Sequence, residues 1–405
     1  MIHIALLGFG VVGSGTAEVL MENRALIASR CGEEIDVKYI LDLREFPEHP
    51  LGNRVVHDIS VILEDPEVTL VAEMMGGSHP AYDFSKAALL AGKSVVTSNK
   101  EVVSTFGVEL LELARQKGVS YLFEASVGGG IPILRPMQTD LASNRILAVS
   151  GILNGTTNFI LSKMKNEGAA FSDALRQAQL AGYAEANPAA DVEGIDAARK
   201  IAILAALAFG VLQSPTTIPT VGITGITPLH VTAAQRLGGA VKLIGRTCLL
   251  DGRVYAGVSP YYVPFSNPVS HIEDVFNGIL VDTDMLGRAL FYGAGAGKLP
   301  TASAVVADII DIASNRASER KSPVWRAADA SDLADPAAYS ARRVVLLKGC
   351  AHCAKKAQEV LGATACEDMG DGCYALLTPA MTEGALQTSL DASGLEALWN
   401  LPVLD

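Results

Sequence analysis

Two charged side chains stand in an otherwise apolar helical stretch. Asp196 and Lys200 are four residues apart in a run rich in alanine, isoleucine and leucine, so they share one face of a helix that we predict over residues 194–209. An exposed ion pair contributes under ~1 kcal/mol, and burying a pair without a task is often unfavourable. We therefore favour a role in a site over a structural ion pair. A partly desolvated lysine beside a carboxylate can supply or accept the hydroxyl proton that accompanies hydride transfer at a carbinol carbon.

A glycine motif near the start of the sequence indicates a dinucleotide site. It follows an apolar run and opens an amphipathic one, which is the context that a G-x-G-x-x-G match requires. The first glycine permits a tight turn, the second lets a pyrophosphate approach the backbone, and the third lets helix and strand pack closely. We expect the motif to bind NAD or NADP through Gly8, Phe9, Gly10, Val12 and Gly13.

An acidic and a basic residue at the end of the second predicted strand bear on the choice of cofactor. Asp42 could hydrogen-bond the adenosine 2'-hydroxyl and oppose a 2'-phosphate, which favours NAD. Asp42 lies 29 residues past Gly13, however, which is farther than usual. Arg44 could instead pair with the 2'-phosphate of NADP. A solvated ion pair at the strand end fits the pattern equally well, so both cofactors stay open.

Five further segments, between positions 73 and 200, resemble homoserine dehydrogenases, and with the glycine motif the likeness covers roughly residues 1 to 315. The segments are residues 73–77, 97–100, 124–132 and 151–158, and a stretch from Gly182 through Glu185, Asp191 and Asp196 to Lys200. This resemblance implies an enzyme that transfers a hydride reversibly between NAD(P)H and L-aspartate 4-semialdehyde. The product would be L-homoserine, for threonine and methionine biosynthesis.

The resemblance also assigns roles around the substrate. It implies that Lys200 donates the proton when the aldehyde is reduced. It places homoserine against Glu185 and Asp196, with the Gly182 backbone nearby and Asp191 matching a further acid of the family. The turn-rich sequence around Glu185 suits a carboxylate that is held toward the substrate ammonium group.

Other residues are assigned to the cofactor. Lys100 ends an apolar strand at the carboxyl edge, where open α/β sheets bind ligands, and this position favours a function over a surface lysine. The resemblance places Thr97 and Lys100 by the nicotinamide, with Lys100 also close to the substrate. It adds Gly76 to the cofactor site, together with Gly297, which ends a second glycine-rich loop.

The segment from Glu124 to Pro132 offers one carboxylate and a glycine-rich backbone that can aim several carbonyl oxygens at one point. Hard cations take such ligands. Judged from the residues alone, a joint between strand and loop is favoured over a metal site. The resemblance implies a monovalent cation, Na⁺, held by the Glu124 side chain and by the carbonyl oxygens of Val127, Gly129 and Ile131.

Two rival functions are less well supported. An aspartate-semialdehyde dehydrogenase would need a nucleophilic cysteine and a general-base histidine, and neither Cys31 nor Cys248 has a convincing active-site context. A non-enzymatic regulator built on a nucleotide-binding domain would not need both Lys100 and Lys200.

Alternating strands and helices must position the predicted site residues that lie within residues 1–135. Short apolar runs alternate with amphipathic ones over residues 1–135, which is typical of an α/β fold with a Rossmann-type doubly wound parallel sheet. The predicted strands are 2–7, 37–41, 70–73, 94–97 and 121–124, and the predicted helices are 15–28 and 81–90.

A second domain is predicted over residues 136–314, with an α+β fold for substrate binding and dimerisation. Its predicted strands, 147–153, 254–258, 278–281 and 288–292, are joined by short turns that favour antiparallel pairing, and its predicted helices are 158–165 and 194–209. The helix predicted over 301–314 is a candidate to return to the first domain. Few helices are predicted to cover the apolar strands, so we expect a homodimer or homotetramer.

Residues 315–341 are the predicted linker to a third domain over residues 342–405. The order strand, helix, strand, strand, helix and a last extended piece is typical of a ferredoxin-like module. It also resembles the ACT modules that many homoserine dehydrogenases carry, which implies an amino-acid effector such as threonine. Cys350 and Cys353, with Cys366 and Cys373 downstream, could bind zinc, form a redox pair or be small buried hydrophobes.

Composition excludes several partners. The 405 residues are 49% hydrophobic and 19% charged, with a formal net charge of −12, so nucleic acid and anionic membranes would be repelled. No apolar run is long enough to span a bilayer and the first residues lack an export signal. Six sparse cysteines favour a reducing compartment, and we expect a cytoplasmic enzyme.

Overall fold

A computed structural model describes residues 1–315 and 323–405, and these residues form two compact units. The first unit contains Met1–Arg145, Ala202–Pro215 and Phe291–Ala328. The second contains Ile146–Ile201, Thr216–Leu290 and Asp329–Asp405.

The first unit is built on a six-stranded parallel sheet. From one edge to the other its strands are Val55–Val56, Ile35–Leu41, Ile2–Leu7, Val68–Glu73, Ser94–Thr97 and Tyr121–Leu122. The direction in which successive strands are added reverses between Ile2–Leu7 and Val68–Glu73, as in dinucleotide-binding sheets. The predicted doubly wound fold is therefore confirmed. Apolar strand residues such as Ile4 and Leu6 are fully buried between the helical layers.

Helices cover this sheet. They are Val11–Glu22, Arg24–Cys31, Ser60–Glu64, Ala81–Leu90, Lys100–Lys117, Leu134–Gln138 and Lys298–Ser314. The helix predicted over 15–28 is in fact two helices, because Asn23 closes the first and its carbonyl oxygen accepts the Ile27 N–H of the second. Lys298–Ser314 packs along Val11–Glu22 and contributes Val305 and Ile309 to the core of this unit.

Part of the predicted linker is ordered. Residues 316–322 lie outside the described residues, but Arg326–Ala327 forms a short parallel pair with Val211–Leu212, and Trp325 is buried against Phe123.

The second unit contains a five-stranded sheet. Its order is Arg253–Pro264, Gly239–Leu250, Ile146–Ile152, Phe276–Thr283 and Arg288–Ala294. The first four strands pair antiparallel, as predicted. The helices that begin in this unit's first two segments are Gly155–Glu167, Phe171–Leu180, Ala189–Val192, Ile195–Phe209 and Pro228–Arg236. Short 3₁₀ turns lie at Gly52–Arg54, Glu124–Ser126, Pro215–Thr217, Pro268–His271 and Pro336–Ala338.

Residues 343–402 form the predicted ferredoxin-like module. The elements are Arg343–Lys348, Ala351–Leu361, Ala365–Gly370, Cys373–Leu377, Glu383–Ser393 and Ala397–Pro402. The antiparallel sheet has its first strand in the centre, between the third and the last. A short pair joins Ser340–Ala341 to Met381–Thr382. The β-α-β-β-α-β order predicted from sequence is therefore confirmed.

The chain after this module returns to the five-stranded sheet. Leu404 is 2% exposed and packs in one cluster with Ile152, Ile244 and Leu280. Its N–H donates to the carbonyl oxygen of Tyr262 at 2.9 Å. The core of the sheet is thus completed by a residue that lies far along the chain.

Within the described part of the chain, no helix is both long and apolar enough to cross a membrane.

Candidate active site

The glycine motif forms a tight loop between the first strand and the helix Val11–Glu22. A Cβ atom at Gly13 would lie 2.1 Å from the Gly8 carbonyl oxygen, so only glycine allows this approach. A Cβ at Gly10 would meet no atom within 4 Å, which leaves room beside the loop backbone. The free N–H groups at the start of this helix face the same side and favour a phosphate group.

Asp42 reaches this loop despite its distance in sequence. Its Oδ2 atom accepts the Phe9 N–H at 2.8 Å, because strand Ile35–Leu41 ends beside the loop. The Arg44 guanidinium forms two bonds with the Asp42 carboxylate, at 3.0 and 2.9 Å. Arg44 holds the pKa of the Asp42 carboxyl well below its usual range. The side chain of Asp42 is 10% exposed and that of Arg44 is 61% exposed, so only Arg44 fits the predicted solvated pair.

A buried carboxylate organises the neighbouring strand ends. Glu73 is fully buried and accepts the Thr97 hydroxyl at 2.6 Å and the Met75 N–H at 2.7 Å. Burial raises the pKa of Glu73. The Thr97 hydroxyl oxygen in turn accepts the Asn99 N–H, and Asn99 caps the helix that begins at Lys100.

Glu73 and Asn99 are residues of the sequence motifs for which no role was predicted. Both lie inside the segments 73–77 and 97–100, and a buried polar residue at a strand end is the signal that could have identified them. Lys100 and Gly76 lie at the same strand ends, as predicted from the carboxyl edge rule.

Glu124 does not continue the last strand of the first sheet. Its N–H donates to the Asp308 carboxylate at 2.8 Å instead of to a neighbouring strand, so the predicted strand 121–124 ends at Leu122. The Glu124 carboxylate is buried and accepts the backbone N–H groups of Ile133, Leu134 and Arg135 at 2.6 to 2.8 Å. A carboxylate offers about four acceptor positions, so three bonds do not saturate it.

The loop that follows Glu124 is buried and touches the second glycine loop. The Gly130 N–H donates to the Ala294 carbonyl at 3.0 Å, and a Cβ at Gly129 would lie 2.4 Å from the Gly295 carbonyl oxygen. Gly297 caps the helix Lys298–Ser314 with a φ of 130°. The two loops predicted as cation site and cofactor loop are therefore packed together.

In the second unit, Lys200 and Asp196 form a buried pair on one helix face. The Nζ atom of Lys200 lies 2.6 Å from Oδ2 of Asp196 and 2.7 Å from the Leu153 carbonyl oxygen. Lys200 is 8% exposed and Asp196 is 5% exposed. The predicted shared face is confirmed, and the pair is more buried than a surface ion pair would be.

Asn154 joins the two acids beside Lys200. Its Nδ2 atom donates to Asp191 at 2.7 Å and to Asp196 at 2.9 Å, while its Oδ1 atom accepts the Thr157 N–H at the start of helix Gly155–Glu167. Burial raises the pKa of Asp191, and the bond from Asn154 opposes that shift. We call Asn154, Asp191, Asp196 and Lys200 the substrate cluster. Asn154 was missed, although it lies within the motif 151–158.

Glu185 and Gly182 lie on an exposed loop of the same unit. The Tyr183 carbonyl on this loop accepts the Thr156 hydroxyl at 2.6 Å, so the loop is tied to the start of helix Gly155–Glu167. Among residues 1–315 and 323–405 the Glu185 carboxylate has no ion-pair partner. It is therefore available for a cationic group of a ligand.

Two family models match the chain. The model described as the NAD-binding domain of homoserine dehydrogenase covers residues 8–124, and the model described as homoserine dehydrogenase covers residues 132–310. Together they contain the first glycine loop and the substrate cluster, whereas residues 125–131 of the loop after Glu124 lie between the two matches.

Individual proteins agree with these models. The homoserine dehydrogenase of Neisseria gonorrhoeae is 42% identical over 77% of this chain and 72% of its own length. The crystal structure of a homoserine dehydrogenase from Thiobacillus denitrificans is similar over 100% of this chain and 98% of that chain, with a TM-score of 0.90 and 34% identity. A hyperthermophilic archaeal homoserine dehydrogenase mutant, solved in complex with NADPH, is similar over 79% of this chain and 99% of that chain, with a TM-score of 0.66 and 26% identity.

Proposed function

Because the chain belongs to the homoserine dehydrogenase family, we propose that Lys200 is the proton donor when this oxidoreductase reduces L-aspartate 4-semialdehyde to L-homoserine. The observation that carries this role is the burial of the Lys200 ammonium group 2.6 Å from Asp196. When bound, the nicotinamide cofactor supplies the hydride in this direction and accepts it in the reverse one.

The contacts of Lys200 suit proton transfer. As hydride reaches the carbonyl carbon, negative charge develops on the carbonyl oxygen, and an adjacent ammonium N–H can stabilise this charge and donate its proton. Two of the three Nζ–H donors are directed by Asp196 and by the Leu153 carbonyl. Asn154 donates to the same Oδ2 atom of Asp196 and so holds the carboxylate in place, which orients the ammonium group before substrate binds.

The remaining acids bind the amino-acid end of the substrate. We assign the homoserine ammonium group to Glu185, whose exposed carboxylate lies on the loop that Thr156 ties to the start of helix Gly155–Glu167. Asp191 and the Gly182 backbone complete the predicted substrate contacts. Lys100 and Thr97 are assigned to the nicotinamide end of the cofactor.

The test of the reaction is absorbance in the band of the reduced nicotinamide. L-homoserine is added with NAD in one assay and with NADP in another. We expect the absorbance to increase in at least one of the two assays. If the absorbance increases in neither assay, the assigned reaction is overturned.

The contact between Asp42 and Arg44 provides a test of cofactor preference. Arg44 is the more exposed partner, so its guanidinium can form an ion pair with the 2'-phosphate of NADP. Asp42 is held in place by its bond from the Phe9 N–H. We expect Arg44→Ala to lower kcat/KM for NADP and to leave kcat/KM for NAD nearly unchanged. Equal losses with both cofactors would contradict this role.

A Na⁺ ion fits the loop after Glu124. Within the part of the chain that the structure describes, the buried carbonyl oxygens of Val127, Gly129 and Ile131 accept no hydrogen bond from the protein, and buried carbonyls normally have a partner. The Glu124 carboxylate has acceptor capacity left. Burial and the nearby Glu124 carboxylate raise the pKa of Asp308 to about 7. The cation would neutralise negative charge beside Asp308. Thermal unfolding in NaCl and in tetramethylammonium chloride tests the proposed Na⁺ site. We expect a higher Tm in NaCl, and equal Tm values would count against a bound Na⁺.

Three apolar side chains support the proposed homodimer or homotetramer. Met285, Leu286 and Leu290 are 78%, 59% and 38% exposed and lie at or before the edge strand Arg288–Ala294. Replacing Leu286 by Asp should weaken assembly measured by light scattering, and a wild-type monomer at micromolar concentration would refute the proposal.

The ferredoxin-like module supports a bound amino-acid effector. We expect threonine or another amino acid derived from aspartate to inhibit the full-length enzyme. Insensitivity to every one of them would defeat this assignment. We also propose a cytoplasmic location for the enzyme, because the reaction consumes NAD(P)H and an amino-acid precursor.

A further inference from the structure

Two thiols meet at the start of the first helix of the ferredoxin-like module. The Sγ atoms of Cys350 and Cys353 are 3.2 Å apart, and helix Ala351–Leu361 begins directly after Cys350. Cys350 is exposed and Cys353 is half-buried, so a small molecule in solvent can reach the pair. This dithiol takes no part in the hydride transfer assigned above.

The helix start makes one of these thiols acidic. The Cys353 N–H lowers the pKa of the Cys350 thiol most strongly, and the Cys353 thiol and the His352 N–H act in the same direction. Free N–H groups in a first helical turn favour a nearby anion. Cys350 is therefore the nucleophile of the pair, because the thiolate and not the thiol attacks sulfur.

Cys248, Cys366 and Cys373 lack this combination. Burial raises the pKa of the Cys366 thiol, and Glu367 and Asp368 raise it further. Burial also raises the pKa of Cys248, and Cys373 is buried. Exposure, acidity and a second thiol in contact coincide at Cys350 and Cys353.

The neighbourhood does not suit a structural zinc ion. Among residues 1–315 and 323–405 no group of three or more His, Cys, Asp or Glu side chains could hold a metal. Structural zinc takes four protein ligands, and the dithiol supplies two.

Gly349 maintains the sulfur contact. A Cβ atom added there would lie 2.8 Å from Cβ and 3.2 Å from Sγ of Cys353. The Gly349 N–H donates to the Gly372 carbonyl at 2.8 Å and so holds the backbone beside the thiol. A larger residue at 349 must push Cys353 away from Cys350.

We propose that Cys350 and Cys353 form a thiol–disulfide exchange site whose reactant is a small-molecule disulfide of the glutathione class. The Cys350 thiolate attacks one sulfur of the incoming disulfide, forms a mixed disulfide and expels one thiolate. Cys353 then loses its proton, attacks the Cys350 sulfur and expels the second thiolate. Two electrons and two protons pass from the protein to the reactant, which leaves as two thiols. The sulfurs need only close from 3.2 Å to a bond length of about 2.05 Å.

The experiment equilibrates the full-length protein with graded mixtures of glutathione and glutathione disulfide. The protein is then unfolded in urea that contains iodoacetamide, which blocks all free thiols, and the masses of the tryptic peptides are measured. Cleavage after Lys348 and Lys355 gives one peptide that holds both cysteines. In oxidising mixtures this peptide should lose the mass of two hydrogens, escape alkylation and recover with dithiothreitol, while Cys366 and Cys373 stay alkylated.

Matched variants separate exchange from accidental oxidation. Cys353→Ser should keep a glutathione adduct on Cys350, because the resolving thiol is gone. Gly349→Ala should slow closure of the disulfide, and Cys366→Ser should behave as wild type. The proposal is overturned if both thiols of the wild type are alkylated in every mixture. It is also overturned if the wild type retains a stable glutathione adduct, or if zinc added at equimolar concentration abolishes the exchange.

Discussion

Two buried lysines of the second unit are held in opposite ways. Lys200 is 8% exposed and has a carboxylate at 2.6 Å. Lys242 is 1% exposed, bonds to the Asn158 amide oxygen at 3.0 Å, and lies 4.0 Å from Glu273, its closest carboxylate partner. Burial lowers the pKa of Lys242 to about 8. One ammonium group is held by an opposite charge, whereas the other is held mainly by neutral dipoles.

We interpret this difference as one between the proposed proton donor, Lys200, and a structural lysine, Lys242. Lys200 lies at the end of a bonded series that includes Asp196, Asn154 and Asp191. The exposed loop that carries Glu185 is tied to Thr156, two residues after Asn154. Lys242 instead joins the start of helix Gly155–Glu167 to the chain at Ile272. We therefore expect a substitution at Lys200 to affect turnover and one at Lys242 to affect the pH dependence of stability.

The largest expected effect is on turnover. Lys200→Ala should reduce kcat by roughly 10²- to 10⁴-fold, the range for losing a general acid, with little change in cofactor affinity. Lys242→Met is the control, and it should keep kcat close to wild type. Near-normal turnover of Lys200→Ala, or an equal loss of kcat in both variants, would show that the two lysines do not have these different roles.

A smaller effect is expected on substrate affinity. Glu185→Ala should raise KM for homoserine by roughly 10- to 100-fold, since a hydrogen bond to a charged group contributes about 1.5–3 kcal/mol. The exposed Glu359 in the ferredoxin-like module offers a matched control, and Glu359→Ala should leave KM unchanged. Unaltered KM and kcat in Glu185→Ala would remove this residue from the site.

The smallest effect is on stability, and its sign follows from the pKa of Lys242. Between about pH 8 and pH 10.5 the folded protein has released the proton, whereas the unfolded chain still binds it. The free energy of unfolding therefore rises with pH across this window, by a few kcal/mol at most.

Urea titrations at pH 7.5 and pH 9.5 measure this rise. Wild type should gain stability relative to Lys242→Met, which has no titrating group there. A parallel pH dependence in the two proteins would show that Lys242 carries no burial penalty.

The two lysines also mark what sequence patterns can and cannot predict. Lys200 was identified because its spacing from Asp196 placed two charges on one face of an apolar helix. Lys242 lies in strand Gly239–Leu250, which was not predicted. This strand is buried on both faces along most of its length, so it lacks the alternation of a half-buried strand, and Lys242 and Arg246 interrupt its apolar run.

Short apolar runs predicted the strands of the first unit better, because each run there is bounded by an amphipathic helix or a turn, and Ile2–Leu7 and Ser94–Thr97 have the predicted bounds. The site residues that were missed are polar connectors. Asn154 and Glu73 act through bonds to Asp196 and Thr97, and such partners depend on tertiary contacts that no local pattern contains.

Leu404, in the core of the five-stranded sheet, has a consequence for synthesis on the ribosome. Ile152 and Ile244 leave the exit tunnel long before Leu404, and chains grow at only about 5–20 residues per second. For several seconds an apolar sheet surface is present without the residue that closes it. Nascent chains of this protein should therefore bind a chaperone that recognises apolar surfaces until Leu404 emerges, and a stop codon before position 404 should release an aggregation-prone product.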